Sequence, residues 1–450
     1  MSDDRSMEVF RRWFAERDIT EVECLIPDMT GNARGKIIPA DKFCKDRGMR
    51  LPEVLFIQTV TGDWPDDESM VDPREVDMVL RPDPETLRIV PWASEPTAQV
   101  IHDCYLRDGA PVDIAPRSVL RRVLARYAEH GWQPVIAPEL EFFLVQKNLD
   151  PDYALEPPVG RSGRPETARQ SYGIDAVNEF DPLFEDVYDY CEAQELDIDT
   201  LIHESGAAQM EINFLHGEAL ALADQVFLFK RTVREAALRH DMYATFMAKP
   251  MEDEPGSAMH IHQSLVDTKS GRNLFANDDG SMTETFRYYI GGMQQYLGAA
   301  MPFFAPNVNS YRRIARHESA PINMDWGIDN RTVGLRVPFS SPENMRLENR
   351  LAGADANPYL AVAVTLACGL LGIEGRVEPR PEQKGSAYDL PIGLPRSLEE
   401  SLGHLEGCQP LHEILGERFV RAYNAIKRKE YETFFRVISS WEREFLLLNV

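Results

Sequence analysis

The chain has 450 residues, more than one hydrophobic core comfortably organises, so two domains are expected. Hydrophobic residues make up 43% and charged residues 27%, which excludes extended disorder. With 48 basic against 73 acidic residues the formal charge is −25, which repels phosphate backbones and anionic lipid and so argues against nucleic-acid and membrane partners.

In chain order, the opening MSDDRSMEVFRRWF is too polar for a secretory leader, and 6–17 reads as a short amphipathic helix. EVECLIPDMTGNARGKIIP (21–39) reads as two strands around a Thr30–Gly31–Asn32 turn. A stretch with several prolines follows, with short strands near 77–80, 87–90 and 98–105. A boundary is expected near 108–116, dividing the chain into 1–110 and 111–450. Helices are then expected at 117–130, 182–194, 219–240, 283–300, 355–373 and 411–446, with loops at 148–170 and 266–282. The run 359–373 falls short of the roughly 18–20 apolar residues that cross a bilayer and reads as a buried helix. The six cysteines are far apart with no CxxC pair, which fits reduced thiols in a cytoplasmic protein.

Between the helices lie brief strands with unusual polar faces. Side chains two apart on a strand share a face. That groups Glu139 with Glu141 in VIAPELEFFLV, and Gln209, Glu211 and Asn213 in AAQMEINF, with Glu204 just before. It also groups His260, His262 and Ser264 in SAMHIHQSL, and Arg346, Glu348 and Arg350 in NMRLENRL. Any one of these faces also fits a strand with one side in water. Together, beside apolar flanks, they gather carboxylates where burial costs several kcal/mol unless cations neutralise them. Oxygen-rich ligation favours Mg²⁺ or Mn²⁺ over zinc, and neither a GxSxG nor a Walker motif competes. Composition and spacing alone support a metal-dependent enzyme, with phosphoryl transfer as one candidate chemistry.

From about residue 20 to the C-terminus, the blocks PELEFFLV, HESGAAQMEINF, ATFMAKPMEDEPGSAMHIHQSL, NSYRRI, NRTVGLRVP and MRLENRLAGADANPYLA resemble the glutamine synthetase superfamily. TGNARGK and HESG are similar to its γ-glutamylpolyamine synthetase branch. The resemblance implies an α+β fold: a β-grasp-like N-terminal domain and a catalytic domain with a curved antiparallel sheet flanked by helices. It implies a dodecamer of two stacked hexamers with each site between adjacent subunits. Carried over by motif, Glu141, Glu204 and Glu211 correspond to ligands of a first metal, and Glu139, His260 and Glu348 to those of a second. Arg313 and Arg350, with Gly256, correspond to glutamate-binding groups; Arg331 and Arg336 to phosphate-stabilising groups; His262, Ser264 and Arg346 to nucleotide contacts. The plainer alternatives are surface ion pairs for Arg331, Arg336 and Arg346, and a hydrogen-bonded core imidazole for His262. His203 and His317 are read as structural, and Tyr388 as a loop residue.

The implied chemistry is ATP-dependent, with Mg²⁺ or Mn²⁺ at two or more positions. Glutamate is activated as γ-glutamyl phosphate, and an amine then displaces phosphate. True glutamine synthetases bind ammonium with an aspartate in the N-terminal domain and a flap glutamate. Here Thr59 and Ser319 stand in those places, with Asp63 and Glu318 as alternative carboxylates, Pro255 in place of an asparagine and Glu343 in place of a lysine. Losing both carboxylates suits an organic amine better than NH₄⁺, with Glu204 and Tyr172 as candidates for proton acceptance and amine positioning. The rival readings are a glutamine synthetase using ammonia, a catalytically silent homologue and a two-metal hydrolase.

Overall fold

The computed structural model describes residues 2–67, 69–316 and 319–450, with side chains from residue 7 onward. Helix α1 (Ser2–Glu16) buries Met7, Phe10 and Phe14, whose three- and four-residue spacing makes one apolar face. Phe43, from α2 (Ala40–Asp46), meets that face with ring centroids 5.2 Å from Phe10 and 5.6 Å from Phe14. Strands β1 (Glu21–Pro27) and β2 (Ala33–Pro39) form the expected antiparallel hairpin. Its turn needs Gly31 at φ +83°, and one Asp28 carboxylate oxygen accepts from the backbone N–H of Thr30 and of Asn32. With β3 (Met49–Pro52), β4 (Asp77–Pro82), β5 (Arg88–Ile89) and β6 (Thr97–Tyr105), they build a six-stranded sheet ordered β2-β1-β6-β4-β3, with β5 on β6.

The rest of the chain builds a nine-stranded sheet that shares no strand with the first. Helix α3 (Pro116–Glu129) leads into β7 (Trp132–Gln146), a 15-residue strand. Then come α4 (Ile174–Asn178), α5 (Asp181–Ala193), β8 (Ile198–His203), β9 (Gln209–Phe214), β10 (Gly217–Glu218), α6 (Ala219–Arg239), β11 (Met242–Thr245), β12 (Met259–Asp267) and α7 (Glu284–Phe304). Strands β13 (Trp326–Ile328), β14 (Leu335–Val337) and β15 (Leu347–Asn349) complete the order β13-β14-β15-β12-β7-β9-β8, with β10 and β11 also on β7. All these pairings are antiparallel except β13 with β14. The strand expected over 344–351 is three residues long, because Pro342–Asn344 forms a 3₁₀ turn ahead of it.

Helix α8 (Pro358–Gly375) is long and apolar enough to cross a membrane, yet it is buried in the core against α3, α6 and α7. The helix expected over 411–446 is three: α10 (Gln409–Leu415), α11 (Glu417–Phe435) and α12 (Ser440–Leu446). Gly416 at φ +98° separates the first two, a backbone conformation that ends a helix. Helix α9 (Leu398–Glu406), capped by the Ser397 hydroxyl, was not expected.

Arg117 fastens the six-stranded sheet to α3 and α6. Its guanidinium binds Asp83 at 2.7 Å, Asp103 of β6 at 2.6 Å and Asp224 of α6 at 2.8 Å, and Arg121 adds contacts to Asp83 and Asp103.

Candidate active site

The long strand β7 sits between β12 and β9, and its register builds the site. Glu139 lies opposite His260 of β12 and Asn213 of β9; Glu141 lies opposite Glu211 of β9. Strand β15 places Glu348 opposite His262, and β14 places Arg336 opposite Glu348. Four strands thus deliver the polar faces expected from the two-residue period onto one surface.

Their side chains converge. Ligand atoms of Glu139, His260 and Glu348 lie within 4.8 Å of one another, and so do those of Glu141, Glu211 and His260. The first trio is the set assigned to the second metal. In the other set His260 closes the trio, while Glu204, in the turn after β8, lines the same cavity from the side. His260 Nδ1 is 3.4 Å from Glu139 and 3.7 Å from Glu348, and its Nε2 is 3.9 Å from Glu141. Arg346 Nε donates to His262 Nδ1 at 3.1 Å, which leaves His262 Nε2–H to donate to Glu139 at 2.8 Å. His262 is therefore tied to both Glu139 and Arg346.

The charge balance is uneven. Burial, then the neighbouring carboxylates, push Glu211 up to about 10, and burial, then Glu204, push Glu141 up to about 7. Burial raises Glu204 as well. Burial works against Glu348 too, but Arg350, then His262 and His260, hold it at about 2; Arg336 lies 2.8 Å away and Arg350 is in direct contact. Burial, then Arg350, push His260 down to about 4, leaving a neutral imidazole able to ligate. The side of the cluster bearing Glu141 and Glu211 is thus short of positive charge.

The residues fit divalent cations. The ligands are oxygens and one neutral imidazole, and the carboxylates repel one another without a cation between them. Among them, Asn213 Oδ1 is buried with no hydrogen-bond partner among the described residues. Arg336 Nε and Arg350 Nε are buried donors without partners among the described residues, which suits anionic oxygens arriving from a substrate.

Two cavities meet here. One of about 600 Å³ is lined by Glu139, Glu141, Glu204, Glu211, His260 and Glu348, together with Tyr172, Gly256, Arg313, Ser319, Arg331, Arg336 and Arg350. Arg313 donates to the carbonyl oxygens of Leu351 and Arg350 at 2.9 Å, which fixes it along the wall. Gly256 must lack a Cβ, which would stand 2.6 Å from Ala248 O and from Arg313 Cγ. Tyr172 and Ser319 both hold φ +62°, an uncommon left-handed conformation at the rim. The other cavity, about 510 Å³, is lined by His262, Ser264 and Arg346, with Glu343 at its edge. Glu139 and Asn213 line both.

Thr59 is the exception among the expected site residues. It is fully buried in its own loop, its hydroxyl bonded to Asp63 N at 2.9 Å and Thr61 Oγ1 at 3.0 Å, and it does not line this chain's cavity. Asp63 is exposed in the same loop. Glu318 and His317 lie outside the described residues. His203, read as structural, is buried, with Nε2 3.0 Å from Glu166, whose carboxylate also accepts from Ala208 N at 2.7 Å. Tyr388, read as an ordinary loop residue, lines the larger cavity. Ser171, Ser205 and Thr332 line it too; Ser205 and Thr332 lie within the HESG and NRTVGLRVP blocks but were given no role from the sequence.

The family model of the glutamine synthetase catalytic domain matches residues 113–446. The gamma-glutamylputrescine synthetase PuuA of Escherichia coli (strain K12) is 35% identical over 437 residues, covering 95% of this chain and 92% of that protein. A glutamine synthetase of Pyrococcus abyssi (strain GE5 / Orsay) is 34% identical over 435 residues, covering 95% and 93%. The solved structure described as apo GmaS without ligand superposes with a TM-score of 0.84 at 29% identity, covering 97% of this chain and 98% of that one. These similarities mark the chain as an ATP-dependent carbon–nitrogen ligase. The chain belongs to the glutamine synthetase family.

Proposed function

We propose that this ligase joins the γ-carboxyl of L-glutamate to an organic amine at the expense of ATP. The observation that carries the reading is the pair of cavities meeting at Glu139, one rich in carboxylates and arginines and the other open to a nucleotide. Glutamate binds against Arg313, Arg350 and the Gly256 backbone, and the nucleotide against His262, Ser264 and Arg346. Its γ-phosphate then reaches the shared wall, where the γ-carboxylate oxygen attacks phosphorus and ADP leaves. Glu139, His260 and Glu348 would hold one divalent cation, and Glu141, Glu204 and Glu211 another, Mg²⁺ or Mn²⁺ by their oxygen-rich donors. Such ions, two or more per site, neutralise phosphate charge when bound. Arg331 and Arg336 offset charge on the transferring phosphoryl group, and the fixed arginines keep the carboxylate in line. The amine nitrogen then attacks the acyl carbon, phosphate leaves, and Glu204 takes the surplus proton, with Tyr172 positioning the amine.

An organic amine fits better than ammonia because, among the described residues, Ser319 lines the cavity where the resemblance places a flap glutamate. Thr59 or Asp63 would act only from an adjacent subunit, since their loop stands apart from this chain's own cavity. The test supplies ATP, Mg²⁺ and glutamate with ammonia, putrescine, isopropylamine or ethanolamine and follows ADP release. An amine should give the highest kcat/KM; if ammonia does, the protein is a glutamine synthetase.

The chain is read as two units, 1–110 and 111–450, supported by two sheets that share no strand. It is read as a cytoplasmic dodecamer of two stacked hexamers. Support comes from the last residues, where Val437, Ile438, Trp441, Leu447, Leu448 and Val450 are exposed, an apolar run that a second copy would cover. Light scattering should return about twelve chain masses, and deleting 437–450 should lower that number.

A further inference from the structure

A third cavity, of about 280 Å³, shares no lining residue with either catalytic cavity. It opens at the far end of the segment 350–357, whose first residue, Arg350, lines the catalytic cavity. Three cations reach it. Lys230 and Arg234 project from α6 four residues apart, a spacing that stacks like charges one turn from each other and costs stability in isolation. Lys427 arrives from α11 and is matched by Glu430 at 2.7 Å.

The other two are not matched. Lys230 is 7% exposed, and its ammonium donates to the carbonyl oxygens of Ala354 at 2.6 Å and Ala356 at 3.0 Å; it has no ion-pair partner among the described residues. Arg234 rests its guanidinium over Phe246, 5.1 Å from the ring centroid, and has neither an ion pair nor a hydrogen bond among the described residues. It keeps exposure at the rim, so the cavity is open to solvent beside it. Asp355 is the opposing charge on the wall, and its Oδ2 is already engaged by Asn307 at 2.7 Å and Ser310 at 2.6 Å. Two cations therefore face one carboxylate, of which Oδ2 is engaged and Oδ1 is buried with no hydrogen-bond partner among the described residues, in a cavity open on the Arg234 side. Burial, then Arg234, push Lys230 down to about 7, which an anion between them would reverse. The protein as a whole carries −25, so this concentration of positive charge is local.

We propose that this cavity binds a compact oxyanion of the phosphate class, held between Lys230 and Arg234. Its wall is also scaffold for the catalytic arginines. Lys230 holds carbonyls just beyond Arg350, and Asp355 anchors the 3₁₀ turn Val308–Arg313 that carries Arg313. An anion here touches that scaffold without entering the catalytic cavity.

The test is thermal stabilisation of the full-length oligomer at constant ionic strength, with inorganic phosphate or glycerol phosphate as probe. The wild type should show a saturable rise in Tm. Arg234→Gln, a change at the exposed rim, should need at least about tenfold more phosphate for the same rise, and Arg234→Lys should recover most of the response. Stabilisation by Mg·ATP should be the same in all three, which separates this site from the catalytic one. A tighter response to inorganic phosphate assigns the free ion, and a tighter response to the ester assigns a phosphomonoester. The proposal is overturned if the wild type shows no saturable rise, or if Arg234→Gln answers phosphate as the wild type does.

Discussion

Two buried clusters of charge stand in this chain, and they are built on opposite plans. Around Arg117, three aspartates share a guanidinium that is 3% exposed, with Arg121 alongside and the Tyr359 hydroxyl donating to Asp224 at 2.7 Å. Burial works against Asp83 there, yet Arg117 holds its carboxyl below the usual range. Each of the three aspartates is within ion-pair distance of the Arg117 guanidinium, although burial pushes Asp224 up. In the active site, Glu141 and Glu211 are pushed up, beside an Asn213 oxygen with no partner among the described residues. The first cluster fastens the six-stranded sheet to α3 and α6; the second gathers buried carboxylates that only added positive charge would balance. Burial alone does not distinguish structure from function. The local charge balance does.

The comparison can be broken by removing one member from each side. Glu348→Gln keeps the shape of the active site but withdraws a proposed metal ligand and the partner of Arg336 and Arg350. Steady-state ADP release should fall about a thousandfold, corresponding to about 4 kcal/mol of transition-state stabilisation, with the far-ultraviolet spectrum unchanged. Arg117→Met should do the reverse: it strands three aspartates and should cost about 3–5 kcal/mol in denaturant unfolding, with kcat per folded site little altered. A large loss of stability in Glu348→Gln, or none in Arg117→Met, would erase the distinction.

A smaller effect sharpens the structural side. His102, next to Asp103 on β6, is 1% exposed, and burial pushes it down to about 4. Between about 6.5 and 4 the unfolded chain therefore binds a proton that the folded chain does not. Stability should fall as pH drops through that window, by up to about 1.4 kcal/mol per pH unit, and be indifferent to this group above it. Denaturation midpoints of His102→Leu should follow a flatter pH course than those of the wild type.

The ligand faces were legible because a two-residue period is rigid. Once Glu139 and Glu141 lie on a strand they must face the same way, and the apolar alternates identify which side is packed. Helices with clear periodicity were legible as well. The division of 411–446 was not read, although Gly416 carried the signal, because the apolar pattern runs on across it. Ser397 with Glu400 was a readable start for α9, where the Ser397 hydroxyl accepts from Glu400 N at 3.1 Å. The burial of Thr59 depends on a hydrogen-bonded loop that no pattern encodes. Tyr388 reaches the cavity through a tertiary approach with no local trace, and the cavity at Lys230 joins α6 to a lysine nearly 200 positions later.

The central claim is that Glu139, Glu141, Glu204, Glu211, His260 and Glu348 converge to hold divalent cations. Calorimetric titration of the metal-stripped full-length protein with Mn²⁺ tests it most directly, beside the same titration of Glu211→Gln. Saturable uptake of at least about two ions per chain, with protons released and one ion lost in the variant, is the predicted result. No saturable uptake, or a variant that titrates like the wild type, would contradict it.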